Sequence, residues 1–233
     1  MEPNYIEHVM RKLLFNLFGL IVVSSLTTSC NSNNEIKEGV IEFTISFPSF
    51  DMDSHPITGM LLPKRQIVSF RGNQFHAQIK KAMVEINAIS NTEERYLYSE
   101  LKFGSPIYFE GTISASDLNK VSIQFTDKRD TIAGFEVKQA FATSNDYGII
   151  ELWYTEKITM KDPNWHTPYY EVPGMLLAYT IFENGVAMRF TATSYSSEAI
   201  DESLFTPSRQ GTSTDFKTFK NELYSVLDNF TKT

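Results

Sequence analysis

Residues 40–47 of the chain, VIEFTISF, decide its fold class. Apolar side chains occupy the odd positions and polar ones lie between them: Ile41, Phe43, Ile45 and Phe47 against Glu42, Thr44 and Ser46. Successive side chains of a β-strand point to opposite faces. A period of two therefore predicts a strand with one buried face and one face toward solvent.

The same alternation recurs along most of the chain, in stretches 84–88, 121–125, 135–137, 150–154 and 186–192. Turn-forming residues separate these stretches, at 71–73, 104–106, 145–148 and 183–185. The strongest turn motif is Asn184-Gly185, which predicts a hairpin between strands at about 175–182 and 186–195. Many short strands separated by turns predict an antiparallel sheet arranged as a sandwich or an open barrel.

One predicted strand differs from the others, because residues 175–182 (MLLAYTIF) are apolar on both faces. A strand of this kind must be covered on both sides. The cover is expected from an amphipathic helix at 213–230, which Ser213 or Thr214 caps. Its apolar residues recur every three or four positions: Phe216, Phe219, Leu223, Val226, Leu227 and Phe230. The simplest role of this Phe-rich stripe is to close the core.

Composition restricts the class of protein. The chain has 233 residues, of which 42% are hydrophobic and 13% aromatic, so it can form a substantial core and most of it is not disordered. A net charge of −7, with basic residues scattered singly or in doublets, argues against a nucleic-acid-binding surface. The single cysteine excludes a disulfide framework and a cysteine-cluster metal site.

The N-terminal region has the organisation of a secretory signal. Arg11-Lys12 precede an apolar run at 13–26, which is shorter than the roughly 20 residues of a spanning helix. Thr27-Thr28-Ser29 and then Cys30 follow, and small residues directly before a cysteine resemble the lipobox of bacterial lipoproteins. That resemblance implies cleavage before Cys30 and acylation of the cysteine, which holds a protein on a membrane. Thr27 stands where Leu is usual, so ordinary signal cleavage and an uncleaved anchor remain alternatives.

These features predict three parts of the chain: a signal peptide at 1–29, a lipidated cysteine with a flexible tether at 30–38, and a β-rich domain at 39–233. Asn31 follows the cysteine, and by resemblance to lipoprotein sorting in Gram-negative bacteria this implies export to the outer membrane. We expect the periplasmic face rather than the cell surface, because Glu35 alone is a weak version of the acidic cluster that marks surface display.

A second resemblance rests on five short motifs: Thr131–Phe135, Trp153–Thr155, Pro163–Trp165, Val172–Leu176 and Ser203–Pro207. In order and spacing they resemble the GLPGLI-type exported proteins and related lipoproteins of Gram-negative bacteria, over about residues 39–210. These proteins are similar to the lipoprotein carriers LolA and LolB. The resemblance implies a mainly β fold, a half-open antiparallel β-barrel covered by the C-terminal helix. It implies fold and location more than activity.

The sequence contains few features of a catalytic or metal-binding site. The four histidines share no ligand spacing, and the best metal candidate is Asp51-Met52-Asp53-Ser54-His55, which lacks the glycine and distal glutamate of a calcium loop. Glu198, Asp201 and Glu202 would pair as acid and base only within a cleft. We therefore expect no catalytic residues, no cofactor and no metal, and a solvated turn at 51–55.

Two functions remain. In the first, the sheet and helix enclose an apolar cavity that binds a lipid or similar ligand, lined by Phe43, Met175, Leu177, Tyr179, Phe190 and Phe216. In the second, the domain is a non-catalytic envelope scaffold that binds a protein or glycan through exposed aromatic residues, Trp165, Tyr169 and Tyr170. The same three residues also fit the edge of a core. Ligand binding is the preferred hypothesis.

Overall fold

The fold is given by a computed structural model, which describes residues 35–50, 56–183 and 186–231. Several predictions lie outside the described residues: the signal peptide at 1–29, the lipidated Cys30, the first part of the tether, the metal candidate at 51–55 and the Asn184-Gly185 turn.

Strands dominate the described residues. In chain order the elements are β1 (Glu38–Ser46), α1 (Pro56–Leu61), β2 (Arg65–Arg71), β3 (Gln74–Lys81), β4 (Val84–Asn91), β5 (Tyr96–Lys102), β6 (Ile107–Gly111), β7 (Ser122–Ile132), β8 (Phe135–Ser144), β9 (Gly148–Thr155), β10 (Met175–Glu183), β11 (Val186–Ser196), β12 (Thr212–Thr214) and α2 (Phe216–Thr231). Short 3₁₀ turns lie at Ala115–Asp117 and Glu202–Phe205.

The strands form one open sheet in the order β12-β6-β5-β4-β3-β2-β1-β11-β10-β9-β8-β7. Neighbours are antiparallel except at the β12–β6 edge, where the pairing is parallel. The prediction of a mainly β fold with an antiparallel sheet and a C-terminal helix is therefore confirmed. β12 and β7 are the two edge strands of this sheet.

The strands with clear alternation occur where the sequence predicts them. In β1 the side chains of Ile41, Phe43 and Ile45 are buried and those between them are more exposed. β10 and β11 pair as the predicted hairpin, with Tyr179 opposite Phe190. β5 was missed because it lacks the contrast between two faces: every side chain from Leu97 to Leu101 is buried.

The C-terminal helix is present, but two details of its prediction are wrong. Asp215 caps it, accepting hydrogen bonds from Thr218 N at 2.9 Å and Thr218 Oγ1 at 2.8 Å, while Ser213 and Thr214 belong to β12. Its apolar residues Phe219 and Val226 pack against the β5–β6 part of the sheet, on Leu97, Leu101 and Phe109. The helix therefore does not cover β10. No helix among the described residues is long and apolar enough to span a membrane.

The connection between β9 and β10, residues 156–174, supplies the cover that the helix was expected to give. Tyr169 and Val172 pack on Leu176 of β10. The hydroxyl of Tyr169 donates a hydrogen bond to the carbonyl oxygen of Thr180 in the same strand. We call this connection the crossing segment, because it passes from the β9–β10 contacts to Ser90 in β4.

Candidate functional site

A cavity of about 160 Å³ lies between the sheet and the crossing segment, and we call it the central cavity. Strands β1 to β4 and β10 line it on one side with Phe43, Gln66, Val68, Phe75, Ala77, Ala88, Met175 and Tyr179. The crossing segment lines it on the other with Met160, Pro163, Asn164, His166 and Thr167. The cavity is partly open to solvent and its lining is mostly apolar.

Strand register explains why space remains at this place. Val68, Ala77 and Ala88 lie directly opposite one another on β2, β3 and β4, so they share one face of the sheet. Two of the three are alanines, whose side chains end at the first carbon. The next pair along the same face is Ile79 opposite Ile86, whose larger side chains fill the sheet surface there. The cavity therefore lies above the small residues.

The crossing segment is fixed at several points. The side-chain amide of Asn164 donates to the carbonyl oxygens of Val172 at 2.9 Å and Gly174 at 2.8 Å. Gly174 cannot be replaced without movement, because an added Cβ would lie 2.3 Å from the carbonyl oxygen of Thr155. Trp165 Nε1 donates to Ser90 Oγ at 3.1 Å. These bonds hold one wall of the cavity in place.

Three of the six residues predicted to bind a ligand line the central cavity: Phe43, Met175 and Tyr179. The Tyr179 ring contacts Phe43 edge to face at 6.2 Å and stacks on Phe190 at 5.0 Å. Phe190 and Leu177 are buried in the same core without lining the cavity. Phe216 is a correction, because it packs on Phe109 at 5.2 Å in the separate core beneath α2.

The predicted aromatic surface for a protein or glycan partner is also corrected. Trp165 is only 6% exposed and Tyr169 only 2%, because both anchor the crossing segment to the sheet. Tyr170 alone is exposed, at 47%. Trp165 and Tyr169 therefore belong to the core, which is the alternative that the sequence left open. Of the three predicted surface residues, only Tyr170 is exposed.

Two side chains that the sequence did not single out as ligands carry the polar chemistry of the cavity. Among the described residues, Gln66 Oε1 and His166 Nδ1 are the only buried side-chain polar atoms without a hydrogen-bond partner. Both residues line the central cavity. Gln66 lies in β2, a strand that the sequence does not predict, and His166 lies in the aromatic stretch at 165–170 without being marked as a ligand itself. Nothing in the local sequence marks either one.

The electrostatics of the cavity are neutral. None of the residues that line it is Asp, Glu, Lys or Arg. Burial lowers the pKa of His166 to about 4, so the imidazole is uncharged at pH 7. Burial also raises the pKa of Tyr179, with a smaller contribution from Tyr169, and keeps its phenol protonated.

The opposite face of the same strands carries a polar network. Glu100 is 2% exposed and accepts hydrogen bonds from Ser208 Oγ at 2.5 Å and Asn87 Nδ2 at 3.1 Å. Lys102 Nζ lies 3.2 Å from the same carboxylate. Ser208 belongs to residues 197–210, which cover this face and place Ile200 and Phe205 on Ile89 and Tyr98. Every member of this network has a partner.

The acidic residues considered for acid–base chemistry do not form a site. Asp201 caps a 3₁₀ turn by accepting from Ser203 N at 2.9 Å, and Glu202 pairs with Arg71 at 2.9 Å on the surface. Glu198 is exposed. Among the described residues no group of three or more His, Cys, Asp or Glu side chains could hold a metal ion.

Fold and cavity together define the class of protein: an open, mainly antiparallel sheet with a small apolar cavity under a crossing segment. Two structures of PNGF-II, in the C2 and P21 space groups, share this fold with TM-scores of 0.53 and 0.54. Each is 18% identical in sequence and matches 81% of this chain. The matching region is 33% of PNGF-II, so this chain spans about one third of its length.

This likeness shows a shared fold and nothing about activity. LprF from Mycobacterium bovis aligns over 77% of this chain and 92% of its own at 12% identity, with a TM-score of 0.29 that is too low to support a common fold. No protein-family model matches the chain, and no curated protein matches it.

Proposed function

We propose that this protein binds a small apolar ligand in the central cavity. The observation that carries the proposal is an apolar space of about 160 Å³ held open between two fixed walls. Because the cavity is partly open to solvent, its apolar lining side chains lack the packing contacts of a close-packed interior and meet water, which is unfavourable. A ligand that fills the space restores those contacts and buries its own apolar surface.

The volume limits the size of the ligand. Small-molecule sites commonly enclose about 300–1,000 Å³, whereas an apolar cavity of about 150 Å³ binds benzene. The central cavity, at about 160 Å³, matches a single ring or a short branched chain. A complete lipid is too large to be enclosed, so we narrow the sequence-based expectation of a lipid to a ring-sized molecule or to one small part of a longer one.

We further propose that binding is not accompanied by catalysis. The cavity lining carries no carboxylate, lysine or cysteine, and its one imidazole is uncharged at pH 7. A nucleophile or a general acid–base pair needs such partners within hydrogen-bond reach. The cavity matches a ring-sized ligand, its lining is neutral and its walls are fixed. These features together favour a protein that binds a ligand without changing it.

The location follows from the sequence and is proposed with the function. We propose a lipoprotein attached through Cys30 to the periplasmic face of the outer membrane, related to the GLPGLI-type exported proteins, whose open sheet curves as a half-open barrel. The Leu13–Leu26 run, the small residues before Cys30 and the five motifs quoted above support this proposal. Mass spectrometry of protein purified from its native envelope, which reads the mass of the N-terminal peptide, tests the acylation.

The binding proposal is tested by filling the cavity. Ala77→Leu places three additional carbon atoms over the strand face that lines the space, while the exposed Ala199→Leu adds the same atoms away from it. With toluene as the probe, calorimetry should detect binding to the wild type and to Ala199→Leu and none to Ala77→Leu. Equal binding to all three proteins, or no binding to the wild type, would contradict the proposal.

A further inference from the structure

We infer that the ligand of the central cavity is an uncharged molecule that carries a hydroxyl or N–H donor, and that Gln66 and His166 bind its polar group. This inference rests on the proposed function of the cavity. The observation behind it is that the two buried polar side-chain atoms without partners, among the residues that the structure describes, both belong to residues lining the same space.

The first of these atoms sets the ligand's polarity. Gln66 Oε1 is a hydrogen-bond acceptor, and a buried acceptor without a donor is unfavourable. A ligand that brings an O–H or N–H group restores the missing bond. A hydrocarbon of the same shape fills the cavity but leaves the acceptor unsatisfied. The site therefore discriminates in favour of a donor.

The second atom accommodates the same group. A neutral imidazole presents a donor at one ring nitrogen and an acceptor at the other, so His166 Nδ1 accepts from a ligand or donates to it according to its tautomer. The rings of Phe75 and Trp165 lie 5.3 Å and 5.7 Å from the imidazole and hold its orientation. A hydroxyl, which both donates and accepts, suits either tautomer.

The neutral lining disfavours another common class of ligand, apolar molecules that carry a carboxylate group. A carboxylate has acceptors only, so it would face Gln66 Oε1 without a proton to share. No lysine or arginine lines the cavity to balance its charge, and a buried charge without a partner is strongly unfavourable. Fatty acids and similar anions should therefore bind poorly, and small alcohols, phenols and indoles should bind well.

The test compares three ring-sized probes: toluene, phenol and benzoate. Toluene and phenol have the same number of non-hydrogen atoms and differ in a methyl or a hydroxyl group, so the ratio of their Kd values isolates the polar contribution. In the wild type, phenol should bind at least as tightly as toluene, and benzoate should not bind. Gln66→Met keeps the side-chain length and removes the acceptor, and should shift the ratio toward toluene by about tenfold.

His166→Phe is the second variant and should shift the same ratio in the same direction, by about threefold. Because the readout is a ratio within one protein, a small loss of stability in either variant does not affect it. If toluene and phenol bind the wild type but the ratio is unchanged in both variants, the inference is wrong and the proposed function stands. Ordered water that pairs with both atoms would give that result. If neither probe binds the wild type, the proposed function itself fails.

Discussion

The two faces of strands β2–β5 differ, although alternate residues of the same strands form both of them. One face presents Val68, Ala77 and Ala88 in register beneath the central cavity. We call this the cavity face. The other, which we call the network face, presents Gln78, Asn87 and Glu100 in register beneath residues 197–210. Both faces are covered by a segment without regular strand pairing, yet the central cavity lies under one cover and a polar network lies under the other.

The difference lies in how polar groups are satisfied. On the network face Asn87 accepts a hydrogen bond from Gln78 Nε2 at 3.2 Å and donates one to Glu100 at 3.1 Å. Ser208, in the covering segment 197–210, donates a further hydrogen bond to Glu100. On the cavity face Gln66 Oε1 and His166 Nδ1 lack partners. Buried polar networks that are fully satisfied make a structure rigid, whereas unsatisfied groups are the exception that needs an explanation. On this basis the network face stabilises the fold, and the cavity face is the place where we propose that a ligand binds.

The largest effect is expected from breaking the network. Glu100→Ala removes a buried carboxylate that pairs with Lys102 and accepts hydrogen bonds from Asn87 and Ser208, so the free energy of unfolding should fall by about 3–4 kcal/mol. Urea denaturation measures this loss. Glu94→Ala, at an exposed turn position, is the matched control and should change it by less than about 0.5 kcal/mol. Similar losses in the two variants would remove the distinction between the faces.

The next effect concerns the wall of the cavity. Asn164→Ala leaves the carbonyl oxygens of Val172 and Gly174 without their donor, so stability should fall by about 2–3 kcal/mol. The same variant should weaken toluene binding at least tenfold, because the crossing segment is no longer fixed. The exposed Asn221→Ala should do neither. An Asn164→Ala protein that keeps full toluene affinity would show that the crossing segment is not a functional wall.

A smaller effect is expected from pH. Burial lowers the pKa of His166 to about 4, so between that value and its ordinary value near 6.5 the unfolded chain binds a proton that the folded chain does not. Stability should therefore decrease as the pH falls through this window. We expect about 1–2 kcal/mol, less than complete burial would give, because His166 as a whole is only partly buried.

His166→Phe removes this contribution, while other groups titrate equally in both proteins. The wild type should consequently lose stability relative to His166→Phe between pH 6.5 and pH 4. Denaturant titrations at several pH values measure the difference. A difference that is constant with pH, or one that grows in favour of the wild type, would show that the imidazole is not enclosed.

The smallest effects separate two adjacent tyrosines. Tyr169→Phe removes the hydrogen bond to Thr180 and should reduce stability by about 1 kcal/mol. Tyr170→Ala, at an exposed position, should change stability by less than about 0.5 kcal/mol and leave toluene affinity unchanged. Thermal or urea unfolding distinguishes the two. If Tyr170→Ala alone lost binding to envelope proteins or glycans, that result would support the hypothesis that the domain binds such a partner through Tyr170.

The sequence predicts the elements whose pattern is local. The alternation in β1 and the position of α2 follow from periodicity, because one face of each element meets the core and the other meets solvent. The pairing of β10 with β11 follows from the Asn184-Gly185 turn motif between them. β5 escapes prediction because both of its faces are covered. What covers β10 also escapes prediction, since the choice between α2 and the crossing segment depends on packing distant in sequence.

The candidate site is predicted only in part, for a related reason. Phe43, Met175 and Tyr179 are apolar residues on predicted strands, so pattern alone selects them. The space itself depends on Ala77 lying opposite Ala88, which requires the register between β3 and β4. Gln66 and His166 become notable only because their partners are missing, and a missing partner is a property of the folded arrangement.

The measurement that tests the account most directly is a crystal structure of the protein soaked with 4-bromophenol, read from the anomalous signal of bromine. The account predicts a bromine peak within the central cavity, above Ala77 and Ala88, with the phenol oxygen at hydrogen-bond distance from Gln66 Oε1 or His166 Nδ1. An occupied cavity with the hydroxyl turned away from both atoms would contradict the polar inference. A cavity that stays without bromine while the compound binds elsewhere would contradict the proposed function.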